Sequence, residues 1–352
     1  GLVIFLLLAV GCKCDTLKTC DENIRCTTVK TPSLVLDCHI SGPSPTSSTF
    51  GGEQGGGDPV MLLHGFPEWS HMYFSLMTAL SAAGRASIAC NQRGYSPNGS
   101  PDNVEDYNYA TLKDDVFDVA DALGWGKFHL VGHDHGAVLG WTVAADDRAK
   151  GRIVSYSALS IPHIDAFSKG LYGTDGYTGV DEDQVIASQY FSIFILPDSA
   201  SLNFNTLFLT MGQTSGRYTE YGSLYSSPTE FQKALWWYNG ALDSGVMSLP
   251  RSMTVHELYS KGAYSTALLR AMYGGGGSDG RPQSHPTGPI DGIDVLYVCG
   301  GNDVYVLCDA GYARETEGYV VGGDYRGLVV GCGHNVLDDG DCENEGERDK
   351  VI

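Results

Sequence analysis

Apolar runs alternate with segments of helical period between Pro59 and Leu159. The apolar runs Pro59 to Leu63 (PVMLL), Ala86 to Cys90, Phe128 to Val131 and Ile153 to Leu159 have the length of strands. Between them, Phe74 to Ala83 and Leu112 to Leu123 repeat their apolar positions every three or four residues, which predicts helices. Strand, helix and strand in this rhythm predict βαβ units and a parallel sheet. In the second helix Val116, Val119, Ala120 and Leu123 share a face, and Asp114, Asp115, Asp118 and Asp121 are expected to form a solvated face. Beyond Leu159 tyrosine, serine and phenylalanine dominate and the strand rhythm is lost. It resumes at Val295 to Cys299 and Gly327 to Gly331, the expected last two core strands. Gly51 to Gly57 and Gly274 to Gly277 read as flexible loops. The expected division is an α/β core over 57–167 and 289–352, a mainly helical insertion over 168–288, and a Cys-rich segment with the first strands over 12–56.

Composition narrows the possible functions. The chain has 352 residues, of which 42% are apolar, enough for one core with an insertion. A formal charge of −20 repels a polyanion, so no nucleic-acid partner is expected. Gly1 to Val10 is apolar but about half of the ~20 residues that a spanning helix needs, so no stable membrane span is expected. That run suits a signal-peptide core, with Ala9-Val10-Gly11 as the cleavage pattern, giving residues 1–11 as the expected signal segment. Five of the ten cysteines (Cys12, Cys14, Cys20, Cys26, Cys38) crowd the start of the chain, which predicts disulfides and a secreted or extracellular protein. Zinc is the weaker reading, because no Cys-x-x-Cys pair occurs. Asn98-Gly99-Ser100 forms one glycosylation sequon.

The strongest chemical signal is Leu130-Val-Gly-His-Asp-His-Gly136, an apolar strand that runs into Gly132-x-Asp134-x-Gly136 and then a small-residue helix start. A nucleophile elbow needs such a turn, because only glycines let strand and helix approach closely while the central side chain stays exposed. Taken alone, Asp134 also reads as a turn aspartate capping the next helix. A literal Gly-x-Ser-x-Gly at Gly276 to Gly280 has no strand before it and reads as linker. His133, Asp134 and His135 are adjacent on a turn and point apart, which disfavours a metal set. Asp303 and His334 each follow one of the last two strands, so three titratable residues lie past the carboxyl ends of core strands, where open α/β sheets form their sites. Asp294 lies at the wrong edge to replace Asp303, and Asp309 lies too far along. After the strand Val60 to Leu63 comes His64-Gly65-Phe66-Pro67-Glu68-Trp69. Its turn is expected to aim the Phe66 N–H at Asp134, with the His135 N–H as a second oxyanion donor. A cis Phe66-Pro67 bond is expected there, with His64 as a structural residue beneath it. Cys299 and Cys332 flank these positions and read as buried free thiols.

Six motifs in this order resemble the epoxide hydrolase and haloalkane dehalogenase branch of the α/β-hydrolase superfamily: HGFPEW (64–69), NQRGYSP (91–97), VGHDHG (131–136), SIPHIDAF (160–167), YVCGGND (297–303) and GCGH (331–334). The resemblance implies an α/β-hydrolase fold, a mostly parallel central sheet flanked by helices, with the insertion 168–288 as a helical cap. It also implies Asp134 as nucleophile, His334 as base and Asp303 as its partner. Tyr190 and Tyr238 lie in windows that resemble those carrying the two cap tyrosines of epoxide hydrolases. Pro67 and Trp69, beside Phe66, and Trp237, beside Tyr238, are candidate substrate-binding residues. A carboxylate that attacks an sp³ carbon gives an ester that water can cleave, whereas serine would leave an ether, so an aspartate elbow points away from ordinary esters and amides. The expected activity is hydrolysis of a small apolar epoxide to a vicinal diol without metal or organic cofactor. Haloalkane dehalogenation and non-catalytic ligand reception are the alternatives. Two departures stand out: His135 occupies the position where the family usually has tryptophan, and the short acidic stretch after His334 predicts a short or absent final packing helix.

Overall fold

The computed structural model describes residues 23–43, 57–172, 181–195, 222–243, 287–337 and 341–351. The signal segment, Cys12, Cys14, Cys20 and the glycine motif at 274–280 lie outside the described residues.

Eight strands form one sheet in the order β1-β2-β4-β3-β5-β6-β8-β10. They are β1 (Ile24–Lys30), β2 (Val35–Ser41), β3 (Val60–Leu63), β4 (Ser87–Cys90), β5 (Phe128–His133), β6 (Ile153–Leu159), β8 (Asp294–Gly300) and β10 (Tyr325–Val330). β2 pairs antiparallel with β1 and β4, and the other neighbours are parallel. Two short strands, β7 (Ile290–Asp291) and β9 (Val320–Val321), pair beside it. β3 and β4 are buried at every residue, which is why they read as uninterrupted apolar runs.

The helices are α1 (Phe74–Ala82), α2 (Tyr109–Ala122), α3 (His135–Ala144), α4 (Ile164–Tyr172), α5 (Glu182–Ala187), α6 (Phe191–Phe194), α7 (Pro228–Asp243), α8 (Ala310–Glu317) and α9 (Glu345–Asp349). α2 begins at Asn108, whose side chain accepts from the Thr111 N–H, and it buries Leu112, Val116, Val119 and Ala120. One carboxylate departs from the expected solvated face. Asp115 is buried and makes a bidentate pair with Arg93 at 2.7 Å on both oxygens, so Arg93 of the NQRGYSP motif serves the core. Burial would strand either charge alone, and the pairing supplies the partner.

Disulfides correct a second expectation. Cys38–Cys90 joins β2 to β4 where the two residues stand directly opposite. Cys299 and Cys332, read as free thiols, are instead bonded to Cys308 and Cys342. Burial was the right environment, but sequence spacing does not show that each chain turns back on itself within about ten residues. Cys26 is disulfide-bonded as well.

Past His334 the described chain forms one short helix, α9. The sheet face opposite α3 is only half covered at Val131, Ser155, Ser157, Leu296 and Leu328. No described helix is long and apolar enough to cross a membrane.

Candidate active site

Asp134 is the single residue between β5 and α3, with φ 50° and ψ −122°. Apart from glycines, only Asp134 and Ser160 have positive φ among the described residues, and both sit at the carboxyl ends of adjacent strands. Such backbone strain persists only where packing enforces it. Glycine makes that packing feasible: a Cβ on Gly136 would lie 2.0 Å from the Leu63 carbonyl oxygen, and one on Gly132 would lie 2.2 Å from that of Gly136. The Asp134 side chain makes no capping bond to α3, so the turn-cap reading does not describe it.

The Asp134 carboxylate uses its two oxygens differently. Oδ1 accepts from the Phe66 N–H at 2.8 Å, and Oδ2 lies 3.1 Å from His334 Nε2. His334 Nδ1 lies 2.7 Å from Asp303 Oδ2, whose other oxygen accepts from the N–H groups of Tyr305 and Val306. All three side chains are buried. Burial alone would lower the His334 imidazole, but the Asp303 charge and the hydrogen bonds to both carboxylates hold it well above its ordinary value. Burial would likewise raise Asp134, but the hydrogen bond from His334 and the neighbouring histidine charges hold its carboxyl far below the usual range. An ionised carboxylate and an imidazole bonded through both of its nitrogens therefore stand side by side.

A second network, missed in the sequence, supports the first. His133 is fully buried, with Nδ1 2.7 Å from Glu68 Oε2 and Nε2 2.9 Å from the His334 carbonyl oxygen. The Ser160 hydroxyl donates to that same carbonyl at 2.5 Å. Asn335 donates to the other Glu68 oxygen at 2.9 Å. Burial opposes charge on His133, yet the Glu68 charge and hydrogen bond overcome it and raise its pKa. The only signal for Glu68 was its place in HGFPEW. Glu68→Gln is expected to cost about 3 kcal/mol or more, because it strands a buried cation. The sign of the pH dependence follows from the raised imidazole: the pair's contribution is complete below about 6.5 and fades as pH rises through the higher folded value. Urea denaturation across pH should show the largest deficit in mild acid; an unchanged or pH-independent midpoint difference would contradict the pairing.

A run of aromatic rings links the neighbours of Asp134 to those of His334. Tyr238 on α7 packs against His135 with ring centroids 4.1 Å apart and against Phe66 at 5.5 Å. Tyr190, just before α6, lies 6.3 Å from Tyr238 and 5.8 Å from Tyr305, which itself lies 5.6 Å from His334. Burial pushes the Tyr238 phenol well above its ordinary value, so it stays protonated. His135 turns its Nδ1 to the Tyr109 hydroxyl at 3.2 Å, while His133 faces Glu68, so the two rings flanking Asp134 diverge. The Phe66-Pro67 bond is cis, and the Pro67 carbonyl accepts from Tyr225 at 3.3 Å. Trp69 stands edge-on to Tyr225 and Tyr95. Trp237 donates to the Arg93 carbonyl at 2.8 Å and lines an internal cavity of about 30 Å³ with Leu63 and Leu112, beneath β3 and beside α2. His64 accepts from the Gln92 N–H, and burial lowers it to about 4. Asp294 opens β8 at the far edge of the sheet, and Asp309 caps α8.

The strand order, the strained aspartate after β5 and the carboxylates and imidazole gathered at strand ends define a protein of the α/β-hydrolase fold. A family model described as the alpha/beta hydrolase fold matches residues 58–177. The AB hydrolase superfamily protein YfhM of Bacillus subtilis is 26% identical over 72% of this chain and 82% of its own length. Epoxide hydrolase 3 of Xenopus tropicalis is 32% identical over 39% of this chain, and the match spans 35% of that protein, about a third of its length. A solved structure described as a novel epoxide hydrolase from metagenomes of hot environments superposes with a TM-score of 0.63 at 22% identity, over 89% of this chain and 93% of that one. These matches show the α/β-hydrolase fold for this chain, and several of the proteins it resembles are epoxide hydrolases.

Proposed function

We propose that this protein is an epoxide hydrolase that opens a small apolar epoxide to a vicinal diol through an ester on Asp134. The observation that carries the proposal is the Asp134 carboxylate, held between the Phe66 N–H and His334 Nε2 beneath two tyrosines. Its oxygen attacks an epoxide carbon, the ring C–O bond breaks, and the departing oxygen takes a proton from Tyr190 or Tyr238. Esterification removes the Asp134 charge, one of the causes that keep His334 protonated, so the imidazolium gives up its proton, which restores the tyrosinate to the phenol, and the neutral imidazole becomes available as a base. Water then gives His334 a proton and attacks the ester carbonyl, whose oxyanion receives the N–H groups of Phe66 and His135. Collapse cleaves the acyl C–O bond, and the proton of the new carboxylic acid passes to the departing alkoxide, which releases the diol and restores the carboxylate, while Asp303 holds the imidazole throughout. In this reading α5, α6 and α7 belong to a cap, and Pro67 and Trp69 border the substrate. The described disulfides support maturation in an oxidising compartment, in keeping with secretion.

Turnover of a chromogenic epoxide, set against bromide release from a bromoalkane, tests the proposal; diol without bromide is the expected outcome. Bromide without diol would favour a dehalogenase, and neither product would favour a ligand receptor. Because a phenol donates to a developing alkoxide, Tyr190→Phe and Tyr238→Phe should each slow ester formation on the order of 10- to 1000-fold, with the double variant slower still. Parent rates in both single variants, read by stopped-flow, would remove the tyrosines from the mechanism.

A further inference from the structure

The two loops that bear Asp303 and His334 are each closed by a disulfide. Cys299–Cys308 has a sequence separation of 9 and encloses Asp303, whereas Cys332–Cys342 has a separation of 10 and encloses His334. Neither side chain sits on a helix or strand, so regular hydrogen bonding does not fix its position. The rings instead hold one another: the Asn302 N–H donates to the Cys332 carbonyl at 2.9 Å. On the far side of the second ring, Gly333 donates to the Asp341 carbonyl at 2.6 Å and Asn335 to the Asp341 carboxylate at 2.7 Å. Closure entropy grows with ring length, so these short rings restrain the unfolded chain less than Cys38–Cys90, whose separation is 52. Their main effect falls on the local geometry of the two side chains they enclose.

We propose that Cys299–Cys308 and Cys332–Cys342 are positioning elements that keep Asp303 in line behind His334, so that opening either one impairs ester hydrolysis far more than ester formation. The inference rests on the ester mechanism above. Formation needs the Asp134 carboxylate and the tyrosines, which lie on other elements; hydrolysis needs the imidazole aligned through both of its nitrogens. Groups facing that imidazole are Asp134 at Nε2, Asp303 at Nδ1, the rings of His133 and Tyr305, and His135 beyond Asp134. Loosening Asp303 withdraws support for the protonated form, so the acid limb of the hydrolysis rate should move to lower pH.

The test uses the full chain with Cys299→Ser plus Cys308→Ser, with Cys332→Ser plus Cys342→Ser, and with Cys38→Ser plus Cys90→Ser for comparison. Single-turnover kinetics and intact mass separate the two half-reactions. Either of the first two pairs should slow hydrolysis on the order of 10-fold or more and accumulate ester, with formation near the parent rate. The comparison pair should lower Tm without accumulating ester. Where a serine pair fails to fold, partial reduction of the folded parent followed by alkylation, with the opened bridge mapped by mass, separates species that have a single ring open. Parent hydrolysis rates with either ring open would overturn the proposal, as would equal losses in both half-reactions accompanied by a lower Tm. The His334 imidazole, titrated by ¹⁵N NMR, should lose part of its elevation when a ring opens. If the parent forms no ester with any epoxide, the catalytic reading fails, and this titration still decides the positioning role: an unchanged value overturns it.

Discussion

His334→Gln is expected to form the Asp134 ester and stop there. Glutamine cannot take a proton from water, so hydrolysis loses its base, while attack on the epoxide needs only the carboxylate and a proton donor. Steady-state turnover should fall about 10²- to 10⁴-fold, the range that a positioned base contributes. Intact mass should show the chain plus one substrate. Absence of any adduct, in a variant that remains folded, would contradict the assignment of base and nucleophile together. The substitution removes the buried partner of both Asp134 and Asp303. Stability should therefore fall too, and folding must be checked by circular dichroism before the kinetics are interpreted.

The other large effect belongs to Asp134. Asp134→Ala removes the proposed nucleophile at the end of β5, and turnover should fall on the order of 10⁴-fold or more with no adduct. Because alanine tolerates φ near 50° less well than aspartate, the unaltered protein supplies an independent check. A single turnover in ¹⁸O-water should give diol whose new oxygen comes from the protein, with label entering the Asp134 carboxylate. Label in the first-turnover diol itself would mean direct attack by water and would end the ester mechanism.

Much of the scaffold is written locally. A strand buried on both faces must be apolar throughout, so Val60 to Leu63 announces itself without knowledge of its neighbours. Asp134 is legible for a related reason: Gly132 and Gly136 on either side are what a sharp strand-to-helix passage demands. By contrast, Asp115 lies at the margin of the apolar face of α2, three residues after Leu112 and four before Val119, and nothing in that period shows that Arg93 arrives beside it. Glu68 meets His133 across 65 residues and Asn335 across 267. Polar residues buried by such distant partners look like surface residues in sequence.

By itself, then, the sequence determined the parallel core, the interrupted strand rhythm and the arrival of Asp134, Asp303 and His334 at strand ends, because each depends on periodicity or on a steric demand met within a few residues. Tertiary structure decided that these three side chains bond at 3.1 and 2.7 Å, that Tyr190 and Tyr238 come within 6.3 Å of one another, and that Cys299 and Cys332 are bonded rather than free. The physical reason is that hydrogen bonds, ring contacts and disulfides act over a few ångströms, and distance between residues far apart in the chain exists only once the sheet has assembled.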